Sequence, residues 1–464
     1  MNRTFIYLTL ISFLLLKIDV VSGQNSSTPQ YLKKALLNDV NYMLQSFEDI
    51  QVNCFLHISK EDLFAKRDSI FNALPDNISI KEAFLTINRI AAFLKDTHTY
   101  VDNYDYIFTQ YKQSAVFPIK ISIDTNSNVF VDQKFIPVGK LTKGNLLIDI
   151  NGFPVEELFQ KSIDMQGGLL DYQINEAINF FSYNLYLLNI TAPYIVSYKS
   201  TSSEILYDTI PGIMFAEYEK ANQIKHTPKY SYALLKKDVG YIDFRSMSGG
   251  LNQFRKFLDS CFTSLKSINA KGLIVDLRYN GGGNSEYGEL LLSYLSDKSY
   301  RLSSGRHFKV SQQYQGFMKE NYPDQSSKDV VNYLKAKPGT ILSFKYKKKK
   351  YLTNNPQRYS LKTCFLIGPQ NLSSATMLAD GAQTYKIATL IGQPTGAPAN
   401  DGGESYNFKL PYSNFDVSTS STFDIRANGN KNDNNPVLPD IFIKEQKSMG
   451  EDSVLDYALS WIYR

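Results

Sequence analysis

The sequence is poor in the residues that build metal centres and disulfide frameworks. Its 464 residues contain only three cysteines and four histidines. No two histidines stand at helical spacing or in an H-E-x-x-H frame, so we predict no metal and no cofactor. The cysteines are far apart and odd in number, which indicates no disulfide scaffold and at most one bridge. The residues concerned are Cys54, Cys261, Cys364, His57, His98, His226 and His307.

The chain also lacks a strong excess of charge of one sign. Its formal net charge of +5 is small for this length and is spread along the sequence. Nucleic-acid binding would need a clustered basic face, and we predict no nucleic-acid partner. The one basic run, Lys345–Lys350, favours an exposed hairpin edge protected by charge. A site for an acidic substrate or an anionic surface is the alternative.

Long apolar runs are missing after the first residues. Residues 1–23 combine one early arginine, an apolar stretch from Phe5 to Leu16 and small residues at the end, with Lys17 and Asp19 interrupting the run. This pattern is typical of a secretory signal peptide and is too short to span a bilayer. We expect a soluble, secreted or periplasmic protein with no integral membrane segment after signal removal.

The remaining chain has enough apolar sequence, 43% of all residues, for two or three domains with real cores. Its apolar spacing is helical at first, then alternates as in short strands, and finally alternates between β and α segments. We predict a signal peptide at 1–23, a helical N-terminal domain at 24–108, a β domain at 109–225, and an α/β core at 226–464 with an accessory insertion around 299–361.

A strand, a tight turn, a helix and a second strand are predicted within Thr363–Gly396. Ser373 and Ser374 stand at the turn-to-helix junction. The first N–H groups of a helix lack intrahelical partners and favour negative charge, so an oxyanion beside such a serine would be stabilised. A plain N-cap is the alternative, because serine is a preferred capping residue.

A second informative segment is Lys271–Asn284, in which an apolar β run is followed by polar residues and three consecutive glycines, Gly281–Gly283. Without Cβ atoms, such a loop can turn its N–H groups toward a bound carbonyl, as an oxyanion hole requires. The motifs of a phosphate cradle are not present in this segment. A simple turn remains possible.

Together these segments resemble the C-terminal processing (tail-specific) serine peptidases. The resemblance rests on the D-L-R-x-N-x-G-G run at Asp276–Gly283, the serine turn at Ser373–Thr376, the I-G-x-P-T-G run at Ile391–Gly396 and the P-D-I run at Pro439–Ile441. It implies an α/β fold with a ClpP/crotonase-like ββα protease core. The stretch Gly144–Val155 is similar to an element of PDZ modules, so the β domain is expected to be PDZ-like; a β domain without a ligand is the alternative.

The resemblance also implies catalytic roles. Ser373 corresponds to the nucleophile, and the N–H of Ser374 with that of Gly281 or Gly282 would hold the oxyanion. Where the best-known branch carries a catalytic lysine, this chain has Pro398, so a lysine base is not expected.

A histidine base remains, as in the tricorn-like branch of the family. His98 matches the histidine of a D-x-H-T element found in that branch. Two acids are candidates for orienting it, and we favour Asp433, which precedes the P-D-I run, over Glu404.

The predicted function is that of an exported serine endopeptidase that forms an acyl-enzyme and takes peptides or unfolded proteins as substrates. Thr376 replaces a glutamate found in many relatives, and related scaffolds serve other purposes. The alternative is therefore an inactive relative that binds a peptide or an apolar ligand in the same cleft.

Overall fold

The computed structural model describes residues 30–464 except 103, 125, 138, 201–203, 222–226, 322–327, 350, 353, 446 and 449–450. The predicted signal peptide at 1–23 lies outside the described residues. Within the described part of the chain, no helix has both the length and the apolar character needed to cross a bilayer.

The first described segment is mainly helical, as its apolar spacing predicts. Ser59 and Ser79 begin two of its helices by accepting hydrogen bonds from the N–H groups of Asp62 and Glu82, the expected role of serine caps. Its elements are β1 (Gln30–Leu32), α1 (Lys33–Ile50), α2 (Lys60–Ala73), β2 (Asn77–Ser79), α3 (Ile80–Ala92), β3 (Tyr100–Asp102), a π-helical turn (Tyr104–Phe108) and α4 (Thr109–Lys112).

The next segment builds a separate antiparallel sheet in the order β10-β9-β7-β6-β5, with β8 paired to β7. Asn151 and Gly152, both at positive φ, form the predicted tight turn between β7 and β8. The elements are β4 (Ala115–Val116), β5 (Ile119–Ile123), β6 (Val129–Lys134), β7 (Leu146–Ile150), β8 (Phe153–Pro154), α5 (Val155–Asp164), α6 (Leu170–Asn179), α7 (Phe181–Leu187), β9 (Tyr194–Lys199), β10 (Ile205–Ile210), β11 (Ile213–Met214) and α8 (Phe215–Ala221).

The remaining elements alternate between strands and helices, and they confirm the predicted α/β class. They are β12 (Tyr230–Leu235), β13 (Val239–Phe244), α9 (Leu251–Ser267), β14 (Gly272–Asp276), α10 (Glu286–Leu295), β15 (Ser303–Lys309), α11 (Gln312–Asn321), α12 (Lys328–Lys335), β16 (Ile341–Lys345), β17 (Lys362–Ile367), α13 (Ser373–Thr384), β18 (Thr389–Gly392), β19 (Asp401–Lys409), β20 (Asp416–Arg426), β21 (Ile441–Phe442), β22 (Lys447–Ser448), β23 (Glu451–Asp452) and α14 (Ser453–Tyr463).

Two sheets organise this last segment. The first runs β12-β13-β14-β17-β18-β21 and is parallel from β13 onward. The second runs β16-β15-β20-β19, and β3 of the N-terminal segment also pairs with β20. The predicted insertion therefore supplies strands to a sheet, and β16, which ends at Lys345 in the basic run, is an edge strand of it. The domain boundaries themselves stay a prediction, as does the PDZ-like character of the β domain.

The N-terminal helices share one hydrophobic core with the second sheet. Apolar residues of α1 and α3, of α11 and α12, and of β19 and β20 belong to a single buried cluster. The second sheet consequently holds the front of the chain against its C-terminal half.

The carboxyl ends of parallel strands meet at one edge of a sheet, which is where open α/β folds bind ligands. Strands β14 and β17 are neighbours, with Asp276 opposite Leu366. The glycine loop that follows β14 and the serine turn that follows β17 are therefore placed side by side.

A buried ionic cluster closes this edge. The Arg278 guanidinium, only 4% exposed, contacts Asp276 at 2.6 Å, Asp452 at 2.7 Å and Glu445 at 2.9 Å. Tyr241 adds a hydrogen bond to Asp276 at 2.8 Å. The aspartate and arginine of the D-L-R run therefore hold the strand end against the C-terminal segment and are not free for chemistry.

We expect Arg278→Leu to lower the free energy of unfolding by about 3–5 kcal/mol, because Asp276 would stay buried without its counter-charge. Urea unfolding followed by tyrosine fluorescence measures this. Arg89→Leu is the matched control, since the Arg89–Asp164 pair is largely exposed and its loss is expected to cost about 1 kcal/mol or less. Equal losses of unfolding free energy in the two variants would contradict a stabilising role for the buried Arg278 cluster.

Candidate active site

Ser373 begins α13 with a φ of +49°, in the left-handed region that non-glycine residues rarely occupy. Such backbone strain, on the order of 1–3 kcal/mol, persists only where the surroundings impose it. Fully buried Asn371 does so here, because its side chain accepts from the N–H of Gly368 at 2.8 Å and donates to the carbonyl of Leu277. The turn is thereby tied to both neighbouring strands.

The two serines of the turn differ in their surroundings. The Ser374 hydroxyl donates to the carbonyl of Gly283 at 2.6 Å. Within the described part of the chain, the Ser373 hydroxyl makes no hydrogen bond, neither to His98 nor to another residue. Ser373 is therefore the serine whose hydroxyl is available to a ligand.

The glycine loop packs directly on this turn. A Cβ on Gly282, whose φ is +98°, would lie 2.9 Å from the Leu372 carbonyl oxygen and 2.9 Å from Ser373 Cβ. Only glycine fits this position. Fully buried Asn280 shapes the loop, accepting from the N–H of Gly282 at 2.9 Å and donating to the Phe244 carbonyl at 2.8 Å.

The hydrogen bonds of the loop distinguish the predicted oxyanion donors. The N–H of Gly282 is already used by Asn280. Among the described residues, the N–H groups of Gly281 and Ser374 find no acceptor, and the N–H groups of Ala375 and Thr376 both turn to Leu372. Gly281 and Ser374 are thus the two donors that remain for a ligand.

His98 lies in the connection between α3 and β3. Asp96 accepts from the N–H of His98 at 2.9 Å, forming an Asx-turn, and from the Thr99 hydroxyl at 2.7 Å. Two residues beyond His98, Tyr100 pairs with Ser418 of β20. Helix α13 packs on both β19 and β20, so this pairing brings the histidine loop to the sheet that supports Ser373.

Asp96 is the carboxylate beside the His98 ring. Its Oδ1 lies 3.5 Å from Nδ1 of His98, and no other carboxylate among the described residues is at ion-pair distance from that ring. Ser420 of β20 donates a hydrogen bond to Oδ2 of Asp96. Both side chains are largely buried, at 16% exposed for His98 and 13% for Asp96.

This pairing controls the protonation of both groups. Burial alone would lower the pKa of His98, but the contact with Asp96 raises that pKa to about 9, with further contributions from the ionised form of Asp401 and from Glu404. Burial works against ionisation of Asp96 as well, yet His98 and Ser420 lower its pKa to about 2. At neutral pH the pair is an imidazolium and a carboxylate.

The two acids proposed from the sequence lie elsewhere. Asp433 accepts from the guanidinium of Arg426, which also binds buried Asp380 at 2.5 Å. Glu404 is 44% exposed and pairs with Arg306 at 2.9 Å, contributing only its charge to the surroundings of His98. Asp96 is the aspartate of the D-x-H-T element, to which the sequence alone assigns no role. Its spacing of two from His98, which is the spacing of an Asx-turn, is the signal that could have found it.

The β domain touches both parts of the site. A Cβ on Gly167 would lie 2.9 Å from the Asp96 carbonyl oxygen, and one on Gly168 would lie 2.8 Å from a Thr97 carbon. On helix α6, Glu176 accepts a long hydrogen bond of 3.5 Å from Gln370, just before the serine turn. The β domain therefore forms a wall beside the histidine loop and the serine turn.

Across the described ranges, no three histidine, cysteine or acidic side chains gather as a metal site would require. Cys54, Cys261 and Cys364 are buried thiols, and burial raises the pKa of each to about 12, which keeps them protonated.

Residues 238–443 match the sequence profile of Peptidase family S41. The chain carries a serine-type peptidase domain of family S41. The matched region includes the glycine loop and the serine turn, whereas His98 and Asp96 precede it. No curated protein matches the sequence.

Among solved structures, this chain is similar to CPAF. A mutant of CPAF superposes with a TM-score of 0.63 at 14% identity, covering 89% of this chain and 93% of that one. Mature CPAF complexed with lactacystin superposes with a TM-score of 0.59 at 14% identity, over 88% and 94% of the two chains. At this identity the likeness concerns the fold, and it extends over the N-terminal and β segments as well as the S41 region.

We expect Gly282→Ala to destabilise the S41 domain by about 1–3 kcal/mol, because the new Cβ meets the serine turn and the left-handed φ strains an alanine. Thermal unfolding measures the effect. Gly281→Ala is the control: its Cβ would meet no atom within 4 Å, and its φ lies outside the left-handed region. A smaller loss for Gly282→Ala than for Gly281→Ala would refute the close packing of loop and turn.

Proposed function

We propose that this protein is an exported serine endopeptidase in which Ser373 is the nucleophile, His98 the general base and Asp96 the acid that orients it. The observation that carries the proposal is the buried Asp96–His98 pair, held by β3 on the sheet against which the Ser373 helix packs. A serine hydroxyl is a poor nucleophile at neutral pH and needs both partners.

In the first half-reaction, Oγ of Ser373 forms a bond to the carbonyl carbon of the substrate, and its proton passes to Nε2 of His98. The imidazolium then gives that proton to the departing amine as the peptide bond breaks, leaving an acyl-enzyme. In the second half-reaction water attacks the ester, His98 takes its proton, and the proton returns to Ser373 as the acid product leaves.

Two backbone groups complete the proposed mechanism. Within the described ranges, the N–H of Gly281 and that of Ser374 have no other acceptor, which suits them to the oxyanion of the tetrahedral intermediate. Asp96, through Nδ1, would keep Nε2 of His98 as the proton acceptor. The proposed substrates are peptides or unfolded proteins, because a substrate segment must reach Ser373 past the wall that the β domain forms beside the serine turn.

Export is part of the proposal and rests on the signal-like composition of residues 1–23. The measured mass of the purified protein tests export, because a protein that retains residues 1–23 would contradict it.

One observation favours the second candidate, an inactive relative that binds a peptide or an apolar ligand. Among the described residues, the Ser373 hydroxyl is not hydrogen bonded to His98. Catalytic hydrogen bonds are often long without substrate and tighten on binding. The reactivity of Ser373 therefore distinguishes the peptidase from the binding function.

We expect wild-type protein to be labelled covalently by a fluorophosphonate and Ser373→Ala to lose the label, with peptide hydrolysis falling by about 10⁴-fold or more. Ser374→Ala should still be labelled, because it keeps the backbone N–H and loses only a hydroxyl bound to Gly283. Mass spectrometry of the labelled peptide identifies the serine. Folded wild-type protein that never labels would favour the binding function.

The pH dependence of hydrolysis distinguishes the orienting acids. Because the base must be neutral and Asp96 raises the pKa of His98 to about 9, kcat/KM should rise through a limb well above pH 6.5. Asp96→Asn removes the charge, so the limb should move to lower pH while the maximal rate falls by about 10²–10⁴-fold. A stopped assay across pH 5–10 measures both effects. Asp433→Asn, which loosens the Arg426 cluster, should leave the limb in place; a shift there would restore Asp433 as the orienting acid.

A further inference from the structure

Asp401, the first residue of β19, carries a carboxyl oxygen that its surroundings do not satisfy. Its Oδ1 accepts from the N–H of Gly402 at 2.9 Å. Its Oδ2 is buried, and no donor reaches it within the described part of the chain. A buried polar atom without a partner is uncommon in a folded protein and calls for an explanation.

Asp401 comes close to Asp96 because a glycine follows it. A Cβ on Gly402 would lie 3.2 Å from Oδ2 of Asp96 and would collide with the hydroxyl of Ser420. Only glycine lets the start of β19 approach the carboxylate that contacts His98.

A small cavity of about 20 Å³ lies between these groups. Its polar walls include Asp96, Asp401, Ser420 and Thr422, and the Thr422 hydroxyl is a second buried group without a partner. The volume suits one water molecule, which needs two to four polar partners. Both unsatisfied groups thus line a space in which one water would satisfy them.

The charges around Asp401 favour its neutral form. Burial, and then the negative charge of Asp96, raise its pKa to about 8, while His98 acts in the opposite direction. Asp424, which also disfavours ionisation of Asp401, is paired with Arg306 at 2.9 Å, as is Glu404. Lys95 and His57 also line the cavity. One carboxylate, that of Asp96, is therefore expected in the site at neutral pH.

We propose that Asp401 is a positioning residue: its carboxyl group holds the Asp96 carboxylate against His98 through one water in this cavity. The carboxylic acid donates to the water, and the water donates to Asp96. Ionisation of Asp401 adds a second negative charge near the imidazolium and raises the pKa of His98. The catalytic meaning of this arrangement rests on the proposed function, whereas the coupling between Asp401 and His98 does not.

An NMR titration of the histidine rings in the full-length protein tests the coupling between Asp401 and His98. With four histidines in the chain, long-range ¹H–¹⁵N spectra are simple, and His98→Gln assigns the resonance. In wild type the His98 shifts should titrate in two steps, one of them near pH 8 as Asp401 ionises. Asp401→Asn should remove that step and leave a single titration at a lower pKa. Asp416→Asn, an exposed acid of β20, should leave both steps unchanged.

Kinetics provide the second readout. We expect Asp401→Ala to lower kcat by about 10- to 100-fold, as loss of an outer hydrogen-bond partner does, with little change in KM. Asp401→Asn, whose amide can still donate, should recover most of that loss at pH 7. Thermal unfolding of both variants shows that each is folded.

Two results would overturn the proposal. The first is a His98 titration that is the same in wild type and in Asp401→Asn. The second is an Asp401→Asn variant as impaired as Asp401→Ala, which would mean that Asp401 acts as a carboxylate. If the His98 titration behaves as expected but Ser373 never reacts, the proposed function fails while the coupling stands.

Discussion

Strand β20 is the constraint on which the arrangement of the site depends. It is buried along nearly its whole length and pairs with β19, β15 and β3. Because side chains alternate along a strand, a slip of one residue would turn every side chain to the other face of the sheet. The register that places Ser418 opposite Tyr100 therefore also fixes where Ser420 meets Asp96, and with it the position of His98.

The same strand explains an unusual feature of the core. Residues Ser418–Thr422 are polar yet buried, at a position where apolar side chains would pack well. Several of their hydroxyls have partners from other segments: Thr419 accepts from Gln51 at 2.8 Å, and Ser421 donates to the Glu404 carbonyl at 2.6 Å. Burial of Thr419, Ser420 and Ser421 is tolerated because their hydroxyls are hydrogen bonded. Within the described part of the chain, the hydroxyls of Ser418 and Thr422 have no partner. The run serves as a polar seam between the N-terminal helices and the C-terminal sheet.

Local patterns were sufficient to predict the elements that carry the serine turn and the glycine loop. The strand before Asp276, the helix that begins at Ser373 and the tight turn at Asn151 all follow from spacing, capping and turn chemistry. The partner of His98 could not be predicted in this way, because the choice among carboxylates depends on which strand packs against the histidine loop. The distance of Asp433 from Pro439 along the chain favours it as the orienting acid, but Arg426, the buried last residue of β20, holds that carboxylate. The role of Asp401 depends on a cavity formed by several segments, and no local pattern records it.

The pairing of β3 with β20 has a consequence for the biosynthesis of the enzyme. His98 is synthesised early. Ser373, and strand β20 that pairs with β3 beside the histidine loop, are synthesised much later. Under the proposed function, hydrolysis requires that β20 has been synthesised and has paired with β3, so a nascent fragment that lacks β20 would be inactive.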